Sequence, residues 1–369
     1  MTVLSDPIGW WTSLGRPLQH LSRGGAIAVL AALLLAMFWS SIETDEGRLA
    51  NEARIASQSE GVPGDLQLYR NIRDRVASGE DYYAAALDEQ RSNNYPTKPF
   101  VTVRLPTLTW ISAEFSETLL VIAAYIVMIA TVISWIGILA PRTNMFERAA
   151  AGFLLALGGI GQMGEAATLM HELPAGLLLT LALGIYRPHR WWPSLMVAAL
   201  ALAIRELALP FLLLWGAFAL WQKRWTEAVA IAAVVLAFLI GLYFHAGAVM
   251  AQQLPGDAPS PGWNGMHGPQ LGLVALSELT GLILVPAGFA GPIALLAMLG
   301  WIGFGGRQGL FATLWFAGFW LAVSLFARTN NIYWIIVIMP AYAAGLAFAP
   351  RAISDLVQRA LGRQGKRHS

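Results

Sequence analysis

Cysteine is absent from the 369 residues. That excludes disulfides, iron–sulfur clusters and a thiol nucleophile, and it makes structural zinc unexpected. Charge is scarce too: Asp, Glu, Lys and Arg make up 12% of the chain, about half the share that a soluble domain uses to cover its water-facing surface. No glycine-rich phosphate loop follows a strand-like segment, which argues against nucleotide use. No pair of short helices reads as a repeated ion-binding hairpin, which weakens a secondary transporter. What is abundant is apolar. Hydrophobic residues reach 56%, with 15 Trp and 16 Phe, and aromatic rings favour the lipid interface.

Apolar stretches of about 20 residues recur from Gly25 to Pro350, each sufficient to cross about 30 Å of hydrocarbon as a helix whose backbone hydrogen bonds are satisfied internally. The spacing predicts an all-α bundle of about ten transmembrane helices, at residues 25–41, 117–139, 149–163, 173–186, 191–204, 207–221, 228–245, 282–304, 310–326 and 332–348. The first has no small-x-small cleavage site at its exit and reads as an uncleaved anchor. The fifth and sixth are short, which suits a thin or funnel-shaped end of the bundle. Residues 42–110 and 246–268 are the long polar segments of this single transmembrane domain, 1–350, and 351–369 is a basic tail. Within the first polar segment, residues 43–60 read as an interfacial helix and 65–78 as an amphipathic one. Gly79 stops the latter, Asp81-Tyr82-Tyr83 opens another helix, and Pro96, Pro99 and Pro106 keep 93–106 extended.

Arg142, Arg148, Arg187, Arg190, Lys223, Arg224, Arg307 and the tail fall in alternate short connections. Positive charge retained in short loops places those connections and both termini in the cytoplasm, and the composition points to a bacterial inner membrane. The opposite face then collects Glu43, Asp45, Glu46, Asp65, Asp81, Arg104, Glu165, His171, Glu172, Arg205, Glu206, His245, His267 and Arg328. Charges at several helix ends on one side imply a shared polar cavity, because a lone buried charge costs several kcal/mol. His245, His267 and Asp257 match no metal-ligand spacing. A divalent cation is therefore left open but has no motif behind it, and no other cofactor is expected.

The runs Gly64-Asp65-Leu66-Gln67-Leu68-Tyr69, Gly79-Glu80-Asp81-Tyr82-Tyr83, Tyr95-Pro96-Thr97-Lys98-Pro99 and Arg104-Leu105-Pro106-Thr107-Leu108-Thr109-Trp110 resemble the first extracytoplasmic loop of the GT-C superfamily. These are membrane glycosyltransferases that use polyprenyl-phosphate-linked sugars. The helix layout resembles theirs over the whole chain, and the motif covers about residues 65–110. The resemblance implies that Asp65 is the catalytic acid, although Leu66 and Gln67 stand where the family often carries a second acid; the cluster Glu43, Asp45, Glu46 is the other source of a base. It implies that Lys98 or Arg104 lies near the lipid phosphate. Implied partners are a polyprenyl-phosphate-linked sugar, membrane lipid, and a glycan, lipid or protein acceptor, with no nucleic acid.

The chemistry asks for the same residue types. A carboxylate takes the acceptor's proton as the anomeric bond breaks. Lys98, Arg104, Arg205 or Arg328 would stabilise the departing phosphate, the Arg fork gripping two oxygens. Tyr69, Tyr82, Tyr83 and Trp263 serve either as sugar-stacking rings or as interface anchors. His171, Glu172, Glu206, His267, Asn331 and Tyr333 are candidate supporting groups. The expectation is an inverting glycosyltransferase. A transporter or flippase for a lipid-linked or anionic solute, working through His171, Glu172, Arg205 and Glu206, is the main rival, and a non-catalytic membrane scaffold is the third reading.

Overall fold

The computed structural model describes residues 6–57, 64–160, 164 and 168–363. Residues 58–60, 161–163, 364–369 and Glu165, which belong to segments named above, lie outside the described residues. Among the described residues helices are the regular secondary structure, with one isolated bridge, Lys98 to Pro259, in place of any strand. Six helical stretches among the described residues are long and apolar enough to cross a membrane: Arg23–Ala53, Glu117–Arg142, Trp225–Ala251, Ala287–Phe304, Gly306–Phe326 and Thr329–Ala360.

The elements run α1 (Pro7–Ser13), α2 (Arg23–Ser57), α3 (Asp65–Ala77), α4 (Tyr82–Ser92), α5 (Thr107–Glu114), α6 (Glu117–Leu139), α7 (Met145–Ile160), α8 (Glu172–Ile185), α9 (Trp192–Ile204), α10 (Leu209–Trp221), α11 (Trp225–Ala251), α12 (Pro269–Glu278), α13 (Ala287–Phe304), α14 (Gly306–Phe326) and α15 (Ala349–Ala360). Local signals account for several boundaries. Asp81 caps α4 by accepting from the amides of Tyr83 and Ala84, both at 3.0 Å, and Ser116 caps α6 through the Leu119 amide. Gly79 takes φ +95 between α3 and α4, a left-handed turn open to glycine.

Two expectations are corrected. Residues 43–57 are not a separate interfacial helix but continue α2 without a break. Charged side chains mark a membrane exit, yet only glycine, proline or a cap ends a helix. Arg48 makes the continuation useful by donating to Ser277 Oγ and to the carbonyls of Ser277, Leu282 and Val285, which satisfies the free carbonyl end of α12 and the turn after it. The last crossing, expected as an α-helix over 332–348, is mostly 3₁₀: Thr329–Ile338 and Ala344–Phe348, with an α-turn Met339–Ala343 between them. Pro340 removes one backbone donor there.

Small residues bring the backbones together. A Cβ on Gly176 of α8 would stand 2.7 Å from the Ile336 carbonyl oxygen, and one on Gly300 of α13 would stand 1.8 Å from that of Gly345. Packing of this kind holds membrane helices without any help from water.

The basic connections meet at one end of the bundle. Arg142 donates to the carbonyls of Gly15, Phe304 and Gly305, Arg351 to that of Arg142, Arg16 pairs with Asp355, and Arg307 reaches Gln222. Helix α8 descends to this end and α9 climbs away from it, through Arg187 and Arg190. At 1.5 Å per residue each is only about 20 Å long, roughly 10 Å short of a full crossing. Glu172 at the start of α8 and Arg205 at the end of α9 therefore sit below the level that a spanning helix would reach. Glu172 and Arg205 pair there and form a polar floor between the start of α8 and the end of α9.

Candidate functional site

Above that floor lies a cavity of about 740 Å³, walled by α3, α4, the segments after α4 and α11, and the start of the last crossing. Four groups of residues meet there although they are remote in sequence: Asp65 and Tyr69 from α3, Arg104 from the proline-rich segment, Arg205 and Glu206 from the α9–α10 turn, and Trp263, Arg328, Asn331 and Tyr333 from the far half of the chain.

The floor is an ion cluster. Arg205, 1% exposed, forms ion pairs with Glu172, 2.7 Å from Nε to Oε1, and with Glu206. Glu172 also lies 3.7 Å from Arg104. Two cations and two carboxylates thus neutralise one another in a setting where an unpaired charge would be expensive. Arg104 is held higher up by two phenols, donating Nε to Tyr69 at 3.0 Å and Nη2 to Tyr333 at 2.9 Å. Tyr333 accepts a second bond from Asn331, whose carbonyl takes Arg328 Nε at 3.3 Å. Burial lifts the Tyr69 phenol well above its ordinary range, so it stays protonated and can hydrogen-bond Arg104 without adding charge.

The backbone beneath Arg104 is pinned from three directions. Gln90 donates to the Thr102 carbonyl, His245 Nε2 faces the Val103 carbonyl, and Tyr82 donates to the Arg104 carbonyl at 2.6 Å. Consecutive carbonyls of an extended segment normally need a strand partner, and here side chains from α4 and α11 take that role. Asp65 stands exposed at the rim as the first residue of α3, with Tyr95 donating to Oδ1 at 2.8 Å. Burial, followed by the neighbouring Asp65 carboxylate, raises the Tyr95 phenol, so it remains a donor at neutral pH.

The roof is a zipper between two polar segments. The Thr97 amide donates to Ala258, the Ser260 amide to Lys98, and Gln253 to the Thr97 carbonyl. Arg91 closes it through Asp257, 2.6 Å from Nε to Oδ1. Lys98 belongs to this zipper, its Nζ donating to the Leu254 carbonyl at 3.0 Å, and it does not line the cavity.

The other candidates are dispersed. Asp45 and Glu46 lie exposed on the extension of α2, away from the cavity lining. His171 is buried edge-on against Tyr69, centroids 5.4 Å apart. Tyr83 faces the opposite way, with His245, into an apolar groove of about 650 Å³ between α9 and α11 lined by Leu105, Leu202, Phe238 and Phe244. Tyr82 is buried between the two, and His267 lines neither. One wall separates cavity from groove, since Arg104 and Arg205 line the first while Leu105 and Ala203 line the second. Among the described residues no cluster of three or more His, Asp or Glu could hold a metal ion.

Sequence reasoning missed Gln90, Asn330 and Trp334 in the lining. Gln90 had a usable signal: it follows Tyr82 and Ala86 at spacings of four along the buried face of α4, where a polar residue is out of place. Comparison with family models, curated proteins and solved structures finds no match for this chain.

Proposed function

We propose that this chain is a GT-C-like, inverting glycosyltransferase that moves a sugar from a polyprenyl phosphate to an acceptor hydroxyl on the face of a bacterial inner membrane away from the cytoplasm. One observation carries the reading: a polar cavity with a carboxylate on its rim and guanidinium groups in its wall lies back to back with a long apolar groove. A ligand that is half anionic sugar and half hydrocarbon needs such a pair of compartments.

In this reading Asp65 takes the proton of the acceptor hydroxyl as that oxygen attacks the anomeric carbon. The bond from the anomeric carbon to the phosphate oxygen breaks on the opposite side, and its electron pair leaves with the phosphate. Arg328 and Arg104 face the charge that develops there. Arg205 is occupied by Glu172 and Glu206, so it acts by holding the floor rather than by gripping phosphate. The Tyr95 hydrogen bond orients the Asp65 carboxylate.

The test is transfer by purified protein from a lipid-linked sugar donor, with Asp65→Asn beside the wild type. A folded Asp65→Asn protein is expected to lose transfer by about 100-fold or more, the usual contribution of a positioned base. Near-normal transfer would remove Asp65 from that role.

A further inference from the structure

Among the described residues three arginines line the cavity, and they are held in two different ways. Arg205 is paired with Glu172 and Glu206, and Arg104 lies 3.7 Å from Glu172. Arg328 has no carboxylate partner among the described residues; its Nε donates to the neutral amide of Asn331, at 3.3 Å from Oδ1. Its Nη1 and Nη2 carry no hydrogen bond to the described residues, and neither is buried without a partner, so both keep accessible surface.

The Asn331 amide is oriented by that contact. A guanidinium only donates, so the atom facing Arg328 is the carbonyl oxygen, and the nitrogen is left for the Tyr333 hydroxyl 3.2 Å away. The same hydroxyl oxygen accepts from Arg104 Nη2 at 2.9 Å. The Asn331 backbone amide also donates to the Arg328 carbonyl at 2.7 Å, so main chain and side chain join the two residues alike. With 7% of Asn331 exposed, its side chain has little room to turn. A carboxylate in its place would hold the guanidinium more strongly, by adding the attraction of opposite charges. It would also spend the positive charge that an anionic ligand needs, which the amide leaves free.

We propose that Asn331 is the positioning residue for the phosphate of the bound lipid: it fixes the Arg328 guanidinium without neutralising it and, through Tyr333, ties it to Arg104. The identity of the ligand rests on the transferase reading; the action of Asn331 on the two arginines does not.

The experiment titrates polyprenyl phosphate, without a sugar, into purified wild type, Asn331→Asp, Arg328→Gln and the combination of Arg328→Gln with Asn331→Asp. Asn331→Asp keeps the shape, sets a counter-charge against Arg328 and removes the donor to Tyr333. It is expected to weaken binding about 10- to 100-fold, the range of a hydrogen bond to a charged group. Asn331→Ala, which also frees Arg328, replaces it should the aspartate variant not fold. Because Asn331 acts through Arg328, the combined variant is expected to lose clearly less than the product of the two single losses. An unchanged affinity in Asn331→Asp overturns the proposal, and so does a fully multiplicative loss in the combined variant, the mark of a merely structural residue. In both cases a wild type that still transfers sugar keeps the transferase reading. Inorganic pyrophosphate is titrated into the same proteins. A wild type that takes pyrophosphate but no lipid phosphate, with the same loss in Asn331→Asp, ends the transferase reading and sustains the positioning role. A wild type that binds neither anion overturns both.

Discussion

Arg205 shows how tightly the floor of the cavity is constrained. With 1% of its side chain exposed and two carboxylates against it, it is the central ion of a cluster whose members cannot be removed singly. Arg205→Met leaves Glu172, 2% exposed, without its nearest counter-charge, and breaking such a pair typically costs about 3–5 kcal/mol. Thermal unfolding in detergent should show a large loss for Arg205→Met and partial recovery in Arg205→Met combined with Glu172→Gln. An unchanged Tm in the single variant would contradict the cluster. Individual charges of this kind were legible in the sequence, since Glu172, Arg205 and Glu206 interrupt apolar runs. Their gathering with Arg104 into one ion cluster was not, because the Glu172–Arg205 and Arg104–Glu172 pairs depend on approach between segments more than 30 residues apart in numbering.

The connecting elements carry a different lesson. Hydropathy located α6, α8 and α9 to within a residue or two, since lipid-facing and core-facing positions are both apolar in a membrane bundle. It misjudged α2, where Glu43, Asp45 and Glu46 announce a change of solvent and say nothing about helix geometry. The zipper over the cavity was invisible for another reason: its bonds are mostly backbone to backbone, and proline-rich segments carry no periodicity. Its charged latch has a defined response to acid. Hydrogen bonds from Arg91 hold the Asp257 carboxyl at about 2, below its ordinary 3.8. The stabilisation is complete above the ordinary value and is lost as the pH falls through about 2. Amide exchange in residues 95–99 and 254–260, corrected for its intrinsic pH dependence, should be steady from pH 8 to 5 and accelerate toward pH 2. Protection that persists at pH 2 would show that Asp257 does not hold the roof closed.

For the molecule as a whole, the arrangement makes a sidedness prediction, and the absence of native cysteine makes it simple to check. Leu66 and Thr329 are exposed near the cavity, and Asn144 is exposed near the basic end. In sealed, oriented vesicles a membrane-impermeant thiol reagent should reach Leu66→Cys and Thr329→Cys from one side and Asn144→Cys only from the other. Labelling of Leu66→Cys and Asn144→Cys from the same side would undo the topology on which the proposed chemistry depends.

The truncated pair α8 and α9 has a consequence for any amphiphile that uses this protein. Each methylene drawn out of hydrocarbon into water costs about 0.8 kcal/mol, so a protein whose reactive groups stood in the aqueous phase would have to extract its lipid before acting on it. In the proposed membrane placement the shortness of α8 and α9 sets Glu172 and Arg205 below the bilayer surface, so that water and polar side chains come down to the headgroup and the tail stays dissolved in the membrane throughout the encounter.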